Sequence, residues 1–159
     1  MYKRQVKARL TDENDKSICA QNTEAFRNEL TELDESFRDV VAKGARQTIV
    51  FGDRFPFRYF ADEYGLKYYA AFPGCSSETE ASARTISFLI DKVNEEEIPV
   101  VFYPEMSNMK VASTICESTS AVPMQLNSCH NVTAEEFEGG VTYLSLMGEN
   151  VGVLETALN

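Results

Sequence analysis

Residues 47–72 read QTIVFGDRFPFRYFADEYGLKYYAAF, and the changes of pattern inside this stretch decide the fold class. Gln47–Phe51 is an uncharged run rich in β-branched residues, which suits a strand covered on both faces. Phe57–Tyr64 then predicts a short helix, with Gly65 to stop it. Leu66–Phe72 returns to strand composition. A strand, a helix and a second strand in so short a span predict a parallel pair joined by a helical crossover.

The same alternation continues downstream. Ser77-x-x-Glu80 has the form of a capping box opening a helix with Ala83, Ile86, Leu89, Ile90 and Val93 as its apolar residues. Pro99–Tyr103 is a third strand, Asn108–Glu117 a helix and Val122–Leu126 a fourth strand. Thr133-x-x-Glu136 forms another capping box, and Val141–Leu158 is a closing helix with Leu144, Met147, Val151 and Leu154 on one face. Asn131-Val132-Thr133 matches a glycosylation sequon, but Thr133 is better explained as a cap. The expected class is α/β: a four-stranded parallel sheet with helices on both faces and right-handed crossovers.

Upstream, residues 1–11 are basic and mixed, a frayed helix at most. From about Asp15 to Lys43, Phe26, Leu30, Leu33, Phe37 and Val40 recur at helical spacing, and Gly44 supplies the stop. At ~1.5 Å per residue this helix reaches roughly 43 Å, longer than a small domain is wide. Asn22 and the short heptad run weaken a coiled-coil alternative. The expected organisation is residues 1–44 as an N-terminal segment and long helix, and residues 45–159 as an α/β lobe.

Composition narrows the function. The 159 residues, 43% apolar and 11% aromatic, are enough for a packed core and exclude wholesale disorder. Fifteen basic against 25 acidic side chains give a net charge of −10, which argues against a nucleic-acid partner. The imbalance grows along the chain: from Val111 to Asn159 there is no Lys or Arg. No apolar run approaches the ~18 residues of a membrane span. Met1-Tyr2-Lys3-Arg4 is basic, but no signal-peptide core follows it. No phosphate-binding glycine loop is present.

In an open parallel sheet, ligands bind beyond the carboxyl ends of the strands. The loops expected there, Gly52–Pro56, Pro73–Ser77, Pro104–Ser107 and Asn127–Asn131, bring Asp53, Arg54, Cys75, Glu105, Cys129 and His130 to one rim. Cys19 and Cys116 fall on helices and read as buried, inert thiols. Cys75 and Cys129 precede helix N-termini, where the dipole should lower a thiol pKa. A disulfide between them, two free thiols, or soft metal ligands alongside His130 all remain open. His130 is the only histidine. A thiol, His130 and Glu105 can be written as a nucleophile–base–acid set, but neighbouring sequence positions do not make triad geometry. The absence of C-x-x-C also argues against thioredoxin-like chemistry. Arg54 reads first as a charge-assisted partner of Glu105 or Asp53, and second as a group recognising an anionic ligand.

The run FGDRFPFRYFADEYGL, residues 51–66, resembles the zinc/manganese class of ABC-transporter solute-binding proteins, whose second lobe begins with a strand and H-x-A-F-x-Y-F-A-x-x-Y-G-L. Phe57, Tyr59, Phe60, Ala61, Tyr64, Gly65 and Leu66 match. GCSSETEASARTISFLIDKV, FYPEMSNMKVASTICEST, LNSCHNVTAEE and TYLSLMGENVGVLETAL are similar to successive segments of the same lobe. NTEAFRNELTELDESFRDVV resembles the end of the helix that joins the two lobes. The resemblance covers residues 15–159 and implies a C-terminal lobe whose first, histidine-bearing lobe is not in this chain. It places the family's third ligand position on Arg54, which cannot bind a cation, with Asp53 beside it. Its fourth, acidic position falls on His130, a good zinc ligand.

The implied function is capture of a divalent transition metal, zinc or manganese, for an ABC importer, without catalysis. The implied ligands are His130, then Asp53, then Cys129. The implied partners are a transporter permease and the missing N-terminal lobe, with a homodimer through the exposed inter-lobe face as an alternative cover. The intact protein is expected outside the cytoplasm, membrane-anchored or periplasmic. A degenerate lobe binding another small solute or a protein, favoured by Arg54 at a ligand position, is the runner-up. A thiol-dependent enzyme using Cys75 or Cys129 comes third.

Overall fold

The computed structural model describes residues 12–72 and 81–159. The expected frayed start, Cys75 and the Ser77–Glu80 capping box lie outside the described residues. The chain forms two compact units, one up to Ser36 and one from Phe37 onward.

The long helix, α1, spans Glu13–Lys43, two residues earlier than expected. Asp12 explains the early start, because its carboxylate accepts the backbone N–H groups of Asn14 at 2.7 Å and Asp15 at 3.2 Å. Within the first unit the apolar stripe is only partly covered: Leu30 and Leu33 are half-buried and Phe26 is exposed. Cys19, expected to be buried, is also half-buried.

The second unit opens with the last turns of α1, where Phe37 and Val41 are buried. The Gly44 N–H closes the helix on the Val40 carbonyl at 3.0 Å. The elements that follow are β1 (Thr48–Arg54), α2 (Arg58–Tyr64), β2 (Lys67–Phe72), α3 (Ala83–Glu95), β3 (Val100–Tyr103), α4 (Lys110–Glu117), β4 (Val122–Gln125), α5 (Ala134–Glu138) and α6 (Tyr143–Leu158). All four strands run parallel in the order β2-β1-β3-β4. The chain therefore moves from one side of β1 to the other between β2 and β3, and the crevice between the ends of β1 and β3 is the topological switch point.

Alternation along β1 covers both sheet faces. Val50 joins Val101, Ala71, Leu89, Val93, Ala112 and Ile115 in one buried cluster. Phe51 packs the other way, with ring centroids 5.1 Å from Phe55, 5.4 Å from Phe57 and 5.4 Å from Phe102. Phe57 continues this aromatic chain to Phe60, and Phe60 to Phe37 of α1. Contacts of this kind add to the large apolar burial of each ring.

Several boundaries differ from the sequence reading. β1 runs through Arg54, so Asp53 and Arg54 end a strand instead of lying in a loop. The charged pair interrupts the apolar run because it sits where the sheet emerges to solvent, yet Arg54 still pairs with Phe72. Helix α3 starts at Ala83, capped by Ser82, whose hydroxyl accepts the Thr85 N–H at 3.1 Å. The expected closing helix begins at Tyr143, after the separate short helix α5. Its buried face carries Leu146, Met147, Asn150, Leu154, Ala157 and Leu158, while Leu144 and Val151 are half-buried. The face is rotated because a polar residue, Asn150, takes its centre. The Thr133–Glu136 capping box forms as read, with both reciprocal bonds present. Cys116 is half-buried, not buried. Among the described residues no helix is long and apolar enough to cross a membrane.

Gly52 is where α4 meets the sheet. A Cβ there would lie 2.4 Å from the Ala112 Cα and 2.6 Å from its nitrogen, and that backbone has no room to yield. Gly52→Ala is therefore expected to lose about 3 kcal/mol through overpacking, read as a lower denaturant midpoint at unchanged m-value. Gly148→Ala, in open space on α6, is the control and should gain up to about 1 kcal/mol from helix propensity.

Candidate metal centre

The chain leaves the sheet after β4, and the Leu126 N–H makes a last ladder bond to the Tyr103 carbonyl at 2.9 Å. The next four backbone N–H groups are all accepted by side-chain oxygens. Asn127 N–H donates to Asn150 Oδ1 at 2.8 Å, Ser128 N–H to Glu105 Oε2 at 2.7 Å, Cys129 N–H to Asn127 Oδ1 at 2.7 Å and His130 N–H to Glu105 Oε1 at 3.1 Å. Asn150 also donates from Nδ2 to the Asn127 carbonyl at 2.8 Å, so it pairs with this segment as a neighbouring strand would. Asn127 and Asn150 are both buried, and their mutual bonds make that burial tolerable. Cys129 is held at φ +58°, a left-handed conformation that costs a non-glycine residue about 1–2 kcal/mol.

Glu105 follows β3 and is half-buried. The Ser128 hydroxyl donates to it at 2.5 Å, in addition to the two backbone amides. Burial pushes the Glu105 carboxyl up, but hydrogen bonds from Ser128, from its own backbone and from His130 outweigh that and hold it below the usual carboxylate range. The Glu105 carboxylate accepts its hydrogen bonds from the 128–130 loop. The Arg54 guanidinium, expected to pair with Glu105 or Asp53, lies 5.6 Å from the Phe72 ring centroid.

Asp53 forms a second anchor at the switch point. One of its oxygens accepts the Ser107 hydroxyl and the other accepts the Arg54 N–H at 2.7 Å. Ser107 Oγ in turn accepts the Met109 N–H at 3.0 Å, just before α4 begins. The segment is tightly turned, with Met106 and Met109 both at positive φ. Asp53 thus joins β1 to the loop after β3, and Glu105 joins that same loop to the one after β4.

His130 is exposed at the tip of the pinned loop. Cys129 is a free, half-buried thiol, and Cys75 lies outside the described residues. The Cys129 thiol is raised, against the lowering expected from a helix dipole. Burial pushes it up, and the nearby Glu105 charge pushes in the same direction. Tyr143 is raised as well, by burial and then by Cys129. A protonated thiol beside a carboxylate is a poor nucleophile, which weakens the thiol-enzyme reading.

Among the described residues no three His, Cys, Asp or Glu side chains converge into a metal-holding group. Of the expected ligands, Asp53 belongs to one anchor, and Cys129 and His130 belong to the loop held by the other. Sequence reasoning missed Asn127, Ser128, Ser107 and Asn150, which hold the rim together. Asn150 alone carried a signal: an amide three residues after Met147 and four before Leu154, in the middle of an apolar stripe.

An open parallel sheet presenting histidine, carboxylate and thiol groups beyond its strand ends has the layout of a ligand-binding lobe. The family described as zinc-uptake complex component A, periplasmic (ZnuA), matches residues 3–157, and the chain belongs to that family. It is 27% identical over 147 residues to the high-affinity zinc uptake system protein ZnuA of Bacillus subtilis, covering 92% of this chain and 46% of that protein. It is also 27% identical over 150 residues to the manganese-binding lipoprotein MntA of Halalkalibacterium halodurans, covering 93% and 49%. The crystal structure of the metal-dependent lipoprotein YcdH from Bacillus subtilis superposes with a TM-score of 0.81 at 26% identity, covering 99% of this chain and 58% of that one. The chain thus spans about half the length of the relatives it matches.

Two outcomes follow from the electrostatics. A depressed carboxylate stabilises the fold above its unfolded pKa of about 4.3, and the contribution disappears as pH falls through the lower folded value. Denaturant midpoints from pH 6 to pH 3 should therefore fall more steeply for the wild type than for Glu105→Gln, with the two converging at the acid end. For Cys129, iodoacetamide labelling followed by peptide mass spectrometry should be slow at pH 7 and should rise only above the ordinary thiol range of about 8.5.

Proposed function

We propose that this chain is the C-terminal lobe of a solute-binding protein that captures a divalent transition metal for an ABC importer, with zinc as the leading cargo. Residues 45–159 are the lobe, and residues 1–44 carry the helix that joins it to a partner lobe. The observation that carries this reading is His130, exposed on a rim loop fixed by Glu105 and Asn150, in a member of a zinc-uptake family.

His130 is the principal ligand in this reading, because an imidazole nitrogen is among the commonest donors to zinc. Asp53 ranks second. Its carboxylate already accepts two hydrogen bonds but keeps lone pairs that could face a cation. Cys129 ranks last, since metal binding requires thiolate and its environment favours the thiol. The remaining donors come from outside the described residues, from the partner lobe or from a second copy of this chain across the same face. Imidazole favours zinc over manganese, whereas a carboxylate-dominated set would favour manganese. The partner for delivery is the transporter permease, and the intact protein acts at the cell surface or in the periplasm.

Arg54 at a position where a ligand is expected, together with the dispersed donors, favours a second reading: a lobe that has lost metal binding and holds another solute or a protein. Calorimetric titration of the reduced chain with zinc, and in parallel with manganese, separates the two. Metal capture predicts weak one-site zinc binding that His130→Ala abolishes, with manganese weaker. Binding of neither metal by this chain or by the intact protein would contradict it.

A further inference from the structure

Glu105 has more to do than satisfy its own burial. Among the described residues it is the only side chain that bonds two backbone amides of the loop after β4, and one of those belongs to His130 itself. The Ser128 hydroxyl adds a third bond, so the carboxylate clamps the loop on both sides of Cys129. Cys129 sits in a strained left-handed conformation that the chain would otherwise relax. Released from Glu105, residues 128–130 would keep, among the described residues, the Cys129–Asn127 hydrogen bond, which is local and does not tie the loop to β3.

From this geometry we infer that Glu105 is the positioning residue of the metal site: it sets the location of His130 by holding the loop's backbone, not by touching the metal. This rests on the metal-capture reading above. Groups that orient a ligand in this way typically contribute 10–100-fold to metal affinity. Because Glu105 acts through the backbone and not through the imidazole, the expected effect lies at the lower end of that range.

The mechanism makes a specific demand on geometry. Glu105→Gln keeps the length but replaces one acceptor oxygen with a donor group facing backbone N–H groups. Glu105→Asp keeps the charge but withdraws it from the loop by one methylene. Both variants should bind zinc about tenfold more weakly than the wild type, measured by competition against a fluorescent zinc chelator using the full chain. Val93→Ala, a truncation on α3 in the buried cluster with Val50, Leu89 and Val101, lowers stability at a position outside the loop and should retain wild-type affinity.

Three results would overturn the inference. Wild-type affinity in either Glu105 variant would do so, and in Glu105→Asp it would show that only the charge matters. An equal loss in Val93→Ala would trace the effect to global stability. Both leave metal capture standing, provided the wild type shows zinc binding that depends on His130. Absence of that His130-dependent binding in the wild type overturns the metal-capture reading itself, and the positioning role with it.

Discussion

Four consecutive amides, Asn127 to His130, leave the sheet without a strand to bond, and the rest of the rim is arranged around that fact. Buried or half-buried N–H groups without partners are costly, so their acceptors must come from somewhere. Here they come from Asn150 on α6, Glu105 after β3 and Asn127 within the loop. This explains why an amide occupies the middle of an otherwise apolar helix face, and why a half-buried carboxylate keeps its charge. It also explains how a cysteine is held in a left-handed conformation.

The sheet topology gives these interactions their place. The reversal between β2 and β3 opens a crevice at the ends of β1 and β3. Gly52 lets α4 approach β1 closely enough for the Asp53–Ser107–Met109 chain to form across it. The loop after β3 is thereby tied on one side to β1 through Asp53 and on the other to the loop after β4 through Glu105. A displacement of either anchor would be felt at His130. With one histidine in the sequence and, among the described residues, no cluster of three donors, the proposed metal-capture role needs donors beyond the described rim.

Much of the fold was legible in the sequence because it is written in local signals. The apolar runs at residues 47–51 and 99–103, Gly65 and the Thr133–Glu136 box each specify their own structure within a few residues. The strand end at Asp53 and Arg54 was not legible, because charge there marks the exit of the sheet into solvent and not the end of backbone pairing. The site was legible as a set of loops and as residue types, but not as a network. The Glu105 carboxylate takes an amide 23 residues away as a partner, and backbone donors leave no trace in side-chain patterning. The Cys129 thiol was misread for the same reason. A nearby helix start was visible in the sequence, whereas the Glu105 charge and the burial that outweigh it depend on packing.

The carboxylate of Glu105 holds the backbone of the loop that carries His130. Hydrogen exchange at the individual amides of Ser128 and His130, followed by NMR, tests it directly. Protection approaching that of the adjacent strands is expected in the wild type, lost at both positions in Glu105→Gln while the β1 and β3 amides stay protected. Exchange of the wild-type Ser128 and His130 amides at the rate of an open surface loop would contradict it.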